Sequence, residues 1–204
     1  MTRSALLVMD LQQVIVARIT DADPGYPERV ARAVAAARAA GMPVVYAVVG
    51  FRAGHPEAKS SPFFSALPDG AFTDDDPGAA IHPSVAPRPG ESVVTKKRIS
   101  AFTGSDLDLV LRGAGVGHLV LAGLSTSGVV LSTLRQAADL DYRLTVLADG
   151  CADPDPEVHR VLTEKVFPRQ GTHVTSVEAW VGEQAQDAVE LTGDGHREPG
   201  SAAS

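Results

Sequence analysis

Residues 118–139 read HLVLAGLSTSGVVLSTLRQAAD. The opening five, His118–Ala122, are an apolar run with the aliphatic content of a strand buried on both faces. The turn GLSTSG follows, and from about Ser127 to Asp139 apolar residues recur at helical spacing. A buried strand running straight into a helix is the repeating unit of a parallel sheet. The same alternation extends in both directions. Upstream, Ser4–Met9 (SALLVM) is a strand, and Pro27 precedes an alanine-rich helix, Glu28–Ala40, stopped by Gly41 and Pro43. Pro43–Val49 is the second strand, Glu91–Thr95 a short third, and Asp106–Arg112 a helix. Downstream come a strand over Arg143–Ala148, a helix over Pro154–Val166 and a marginal strand over His173–Ser176. The pattern predicts an α/β fold of three layers: a mostly parallel sheet of about six strands with helices on both faces.

Between Gly50 and Pro89 the chain is rich in Gly, Pro, Ser and Asp and has little periodicity. A segment that long without regular structure is usually functional, so it is read as an excursion carrying one short helix. Residues 1–182 are expected to form one domain, and the polar, small-residue stretch 183–204 a disordered tail. The 204 residues are enough for one well-filled core, and 44% apolar with 21% charged is an ordinary balance for a globular protein. No apolar run approaches the roughly 20 residues of a membrane helix. The start MTRSALLVMDLQQ reads as a buried strand rather than a leader. A single cysteine rules out an internal disulfide and favours the cytoplasm. The net charge of −7 argues against nucleic acid as a partner.

Three places could carry chemistry. Asp10 closes the first strand, and ligands of open parallel sheets bind beyond the carboxyl ends of the strands. A carboxylate buried there can serve as a general acid or base, or it can merely cap the next turn. Lys96 follows the third strand and either meets Asp10 at that edge or is a surface lysine of the run KKR, with Lys97 and Arg98 solvated. The turn around Leu124 and Ser125 ends at a helix N-terminus, whose exposed N–H groups suit an oxyanion and equally suit simple capping.

Taken in series, ALLVMDLQ, VVTKKRISAF and GLSTSGVVLST before LRQAADLDYRLTVLADGCAD resemble the isochorismatase-like (cysteine hydrolase) superfamily. The resemblance runs from about Ser4 to Val181. It implies Asp10 and Lys96 as the catalytic acid/base pair and a cis peptide between Leu124 and Ser125. It also places Val129 where most relatives carry the nucleophilic cysteine. A valine can form no thioester. Ser125, Ser127 and Ser132 are out of position, and Cys151, the sole thiol, reads as a small buried apolar residue. The expectation is therefore a hydrolase acting on a small organic substrate by non-covalent acid/base chemistry through Asp10 with Lys96. The alternatives are an inactive ligand-binding or scaffolding homologue, and an amidase with an unrecognised nucleophile. Phe51, Arg52, His55 and Phe102 are candidate substrate contacts, with Arg98 a further cation. No cofactor is expected, and no metal: His55 lacks the aspartate partner a zinc site would need, and His159 reads as structural or surface. The resemblance also implies a homo-oligomer, a dimer or higher.

Overall fold

The computed structural model describes residues 3–193, with side chains described through 186. Six strands form one sheet: β1 (Arg3–Met9), β2 (Val44–Val49), β3 (Ser92–Lys96), β4 (Val116–Leu124), β5 (Arg143–Ala152) and β6 (His173–Thr175). Their order is β3-β2-β1-β4-β5-β6 and every pairing is parallel. The helices are α1 (Gln13–Thr20), α2 (Tyr26–Ala39), α3 (Leu107–Gly113), α4 (Leu131–Asp139), α5 (Pro156–Val161) and α6 (Val177–Gly193).

The period-two alternation of β1 sorts the core. Ala5, Leu7 and Met9 pack with Leu107 and Leu111 of α3 and Leu134 and Ala137 of α4. Leu6 and Val8 face the other way, onto Val30 and Val34 of α2 and Val177 and Trp180 of α6. Both faces are covered, which is why the strands are apolar on both sides. The chain winds outward from β1 to β3 and then restarts at β4 on the other side of β1. That reversal opens a crevice at the carboxyl ends of β1 and β4.

Four sequence expectations need correction. The excursion after β2 holds no α-helix; its only helical pieces are the three-residue 3-10 turns Pro77–Ala79 and Pro83–Val85. Helix α1 was not foreseen: it shows no capping side chain, and only Val16 and Ile19 of its eight residues are buried. Residues 183–193, expected as tail, continue α6, which is anchored by buried Val177 and Trp180 and by the Val177 N–H donating to Asp149 at 2.7 Å. The rest of that stretch, 194–204, lies outside the described residues. Finally, the helices expected from Ser127 and from Pro154 each contain one wider turn of five residues, Thr126–Val130 ahead of α4 and Leu162–Val166 after α5.

Candidate active site

Asp10 sits one residue beyond β1, with φ +56°, a left-handed conformation that Asp tolerates better than most residues. Its N–H still donates to Ala47 of β2 at 2.8 Å, so the backbone is held in the sheet while the side chain turns into the crevice. Lys96, the last residue of β3, reaches across: its Nζ lies 3.0 Å from Asp10 Oδ2 and 3.1 Å from the Arg98 carbonyl. Both residues are buried, at 6% and 2% exposure, which disposes of the surface-lysine reading. Asp10 Oδ1 has no hydrogen-bond partner among the described residues. A buried, unpaired carboxylate oxygen costs free energy, so its retention calls for an explanation. Burial pushes the Asp10 carboxyl up from 3.8 to about 6, outweighing the attraction of Lys96 and its hydrogen bond. The group can thus hold or release a proton close to neutrality.

The turn after β4 closes the other side. The Leu124–Ser125 peptide is cis. Ser125 Oγ accepts from the Gly128 N–H at 3.1 Å, and the Ser127 N–H donates to Asp153 at 2.7 Å. Buried Thr126 is hydrogen-bonded through Oγ1 to His159 Nδ1 at 2.8 Å. His159, half-buried and with its pKa lowered by that burial, is therefore a tether for this turn. Gly123 is required for the approach of β4 to β1 at this end. A Cβ there would stand 2.6 Å from the Met9 carbonyl oxygen, closer than packing permits.

Asp10, Lys96, Leu124, Ser125 and Val129 all line one cavity of about 210 Å³. Val129 is 2% exposed and belongs to the core cluster under the cavity. The remaining walls are mostly apolar. The excursion contributes Phe63, Phe64, Leu67 and Phe72, and α1 contributes Ile15, Arg18 and Ile19. At this size and polarity the cavity suits a small molecule.

The four expected substrate contacts lie elsewhere. Phe51 and His55 are buried behind the wall. The Phe51 ring meets Phe64 edge-on at 5.3 Å, and His55 Nε2 is 2.7 Å from the Ala71 carbonyl, so both brace the lining. Arg52 points outward and pairs with Glu57 at 2.7 Å. Phe102 packs into the core beside Tyr142, with ring centroids 6.0 Å apart. The KKR run is not simply solvated either. Lys97 donates to the Gly50 carbonyl at 2.6 Å, and Arg98 to the Glu57 carbonyl at 3.0 Å, pinning the excursion. Cys151 is buried on β5, outside the cavity lining, and burial raises its thiol to about 12, so it is inert as a nucleophile.

Sequence reasoning missed Arg18 and Gln12. The i, i+3, i+4 spacing of Ile15, Arg18 and Ile19 was the available signal for the first. Nothing local signals Gln12. Its buried amide donates to the Val49 and Ala79 carbonyls at 3.0 and 2.8 Å and accepts from the Val49 N–H at 3.0 Å. It thereby clamps the end of β2 to the excursion. Among the described residues no three His, Cys, Asp or Glu side chains cluster as a metal site would require. No helix among them is long and apolar enough to cross a membrane.

Residues 4–179 match the model of the isochorismatase domain. The uncharacterized isochorismatase family protein YecD of Escherichia coli O157:H7 is 32% identical over 169 residues, 81% of this chain and 88% of that protein. The ureidoacrylate amidohydrolase RutB of Stutzerimonas stutzeri is 34% identical over 179 residues, 76% of this chain and 72% of its own. Among solved structures, an isochorismatase family protein from Desulfovibrio vulgaris superposes with a TM-score of 0.79 at 28% identity, covering 91% of this chain and all of that one (100%). A cysteine hydrolase from Pseudomonas syringae superposes at 0.83 with 22% identity, over 90% and 93% of the two chains, a likeness of fold.

Proposed function

The chain belongs to the isochorismatase family of hydrolases, and from that premise we propose that it hydrolyses a small organic substrate without a covalent intermediate. The observation that carries this reading is the buried Asp10–Lys96 pair with one carboxylate oxygen unpaired, opposite a cavity wall where Val129 offers no nucleophile. Asp10 is assigned as the proton carrier. Protonated, it donates to the leaving group or to an activated double bond; ionised, it takes a proton from the attacking water. Lys96 fixes the orientation of Asp10 and stabilises its carboxylate between the two steps. With the Ser127 and Gly128 N–H groups engaged by Asp153 and Ser125, the N–H of cavity-lining Val129 is assigned to receive the negative charge that develops on an acyl substrate. With the cysteine position of the family assigned to Val129, the thioester route of the amidases is closed. The amidohydrolase activity named for RutB makes amides and ureides natural first candidates. Vinyl ethers, which need only a proton and water, fit the residues better.

The same reading takes the chain to the end of α6 at Gly193 as one catalytic domain acting in the cytoplasm as a homo-oligomer, a dimer or higher. The test is a turnover screen across amides, vinyl ethers and cyclic imides, with wild type beside Asp10→Asn. Turnover abolished in Asp10→Asn with substrate binding intact supports the proposal. Equal turnover in both proteins, or a covalent adduct by intact mass with trapped substrate, refutes it. No turnover of any class by wild type would favour a ligand-binding role.

A further inference from the structure

The turn that carries the Val129 N–H is fastened from two sides. Inside it, Ser125 Oγ accepts from the Gly128 N–H at 3.1 Å. Outside it, both fastenings come from the segment that follows β5. Asp153 accepts from the Ser127 N–H at 2.7 Å, and His159 of α5 is hydrogen-bonded through Nδ1 to Thr126 Oγ1 at 2.8 Å. Thr126 is fully buried and does not line the cavity, so its hydroxyl meets no substrate. Nδ1 of His159 is that hydroxyl's one hydrogen-bond partner among the described residues.

A buried hydroxyl needs an acceptor for its single proton. Neutral His159 supplies one at Nδ1, with its own proton on Nε2. Protonated, it carries a proton on both nitrogens, so Nδ1 becomes a donor and the Thr126 hydroxyl proton is stranded in the core. The charged group acting on His159 is Asp153, the same carboxylate that holds the Ser127 N–H. Residues 124–134 of the turn and α4 carry no charge; Glu157, Arg160 and Glu164 pair among themselves, and Lys165 is exposed. An imidazolium therefore disturbs both outer fastenings, reversing one hydrogen bond and competing for the acceptor of the other. Burial disfavours the imidazolium more than Asp153 favours it, and holds the His159 pKa below its ordinary 6.5.

We infer that His159 is a positioning residue: through Thr126 it holds the Val129 N–H toward the cavity while its imidazole is neutral, and protonation releases the turn. A plain structural tether would hold the turn in either charge state. The inference rests on the proposed function only in taking the Val129 N–H as the donor to the substrate, and it is read without turnover.

The test is a series of proton–nitrogen NMR spectra of the full-length protein from about pH 8 to about pH 5, the range in which histidine changes charge. The Gly128 and Val129 amide signals should shift with the midpoint of the His159 imidazole, below 6.5. Asp10, with its midpoint at about 6, moves the same signals in every variant that keeps it, so the reading is the difference between wild type and Thr126→Val. That variant keeps the side-chain shape and removes the hydroxyl. His159 should still titrate in it, and the His159 share of the amide shift should vanish. His159→Asn places an amide where Nδ1 stands and cannot become charged. It should leave the Asp10 share alone, and it decides the matter if Thr126→Val does not fold. An amide shift as large in Thr126→Val as in wild type would mean that the imidazolium acts through space, and would overturn the inference. So would wild-type amides that ignore the imidazole midpoint, or an imidazole that stays neutral until the protein unfolds in acid. A protein that shows the coupling yet turns nothing over leaves the hold of His159 on the turn standing while the catalytic proposal falls.

Discussion

Replacing Lys96 with Met should raise the pKa of Asp10 rather than expose a lone buried charge. In the native protein burial has already carried the carboxyl from 3.8 to about 6 against the pull of Lys96. That displacement of about 2 units corresponds to about 3 kcal/mol at 1.36 kcal/mol per unit. An opposite charge at ion-pair distance holds a carboxyl down by about 1–3 units. Without the ammonium 3.0 Å away, Asp10 should therefore titrate above about 7. The sign for stability follows. Because the folded-state pKa lies above the unfolded one, the favourable contribution is complete below pH 3.8 and is lost as pH rises through about 6 in the native protein. In Lys96→Met the same loss moves to higher pH and grows. The variant should come close to native stability at pH 6, where Asp10 is neutral, and fall behind by about 1.4 kcal/mol per pH unit as the medium turns alkaline. Carboxyl 13C NMR reports the Asp10 midpoint, and urea denaturation at several pH values reports the stability. A midpoint at or below about 6 in Lys96→Met, the native value, would refute the account of the pair.

Three further outcomes are expected. Val129→Cys should fold normally, with a stability change under about 1.5 kcal/mol in thermal denaturation, because the volumes are similar. It should give a titratable thiol without rapid amidase turnover, and fast, general amide hydrolysis would show that a covalent site was otherwise intact. Gln12→Ala strips three hydrogen bonds, two of them fully buried, from Val49 and Ala79 and should cost about 2–4 kcal/mol by the denaturant midpoint; a loss below about 0.5 kcal/mol would mean the clamp carries no weight. Gly123→Ala drives a Cβ to 2.6 Å from the Met9 carbonyl and should destabilise by about 1–3 kcal/mol, seen as a lowered melting temperature; an unchanged melting temperature would contradict the close approach of β1 and β4.

The order of elements was legible because local rules produce it. Strands buried on both faces must be apolar throughout, as Ser4–Met9 and His118–Ala122 are, and Gly41 and Pro43 end a helix by their own backbone chemistry. Asp10, Lys96 and the turn at Leu124–Val129 were candidates because strand ends of a parallel sheet converge on one edge, but position alone left each a structural reading, and it was the family resemblance that chose between them. Helix α1 escaped because it shows no capping side chain and buries only Val16 and Ile19, so the spacing of Ile15 and Ile19 was its one, weak local signal. With it went Arg18, whose cavity position depends on how that helix leans on the excursion.

Distance and depth belonged to the tertiary structure alone. The sequence made Phe51, Arg52, His55 and Phe102 as eligible for the cavity as Phe64 and Phe72, since an irregular segment has no period to sort inward from outward. Packing sorted them: Phe51 and His55 went behind the wall, Arg52 outward to Glu57, and Phe102 into the core. The elevated pKa of Asp10 was likewise out of reach of sequence, because it depends on how completely water is excluded when distant segments meet at the carboxylate, which Lys96 reaches from 86 residues away. Residue types determined which groups could do chemistry. Long-range packing decided which of them meet, and in what state of charge.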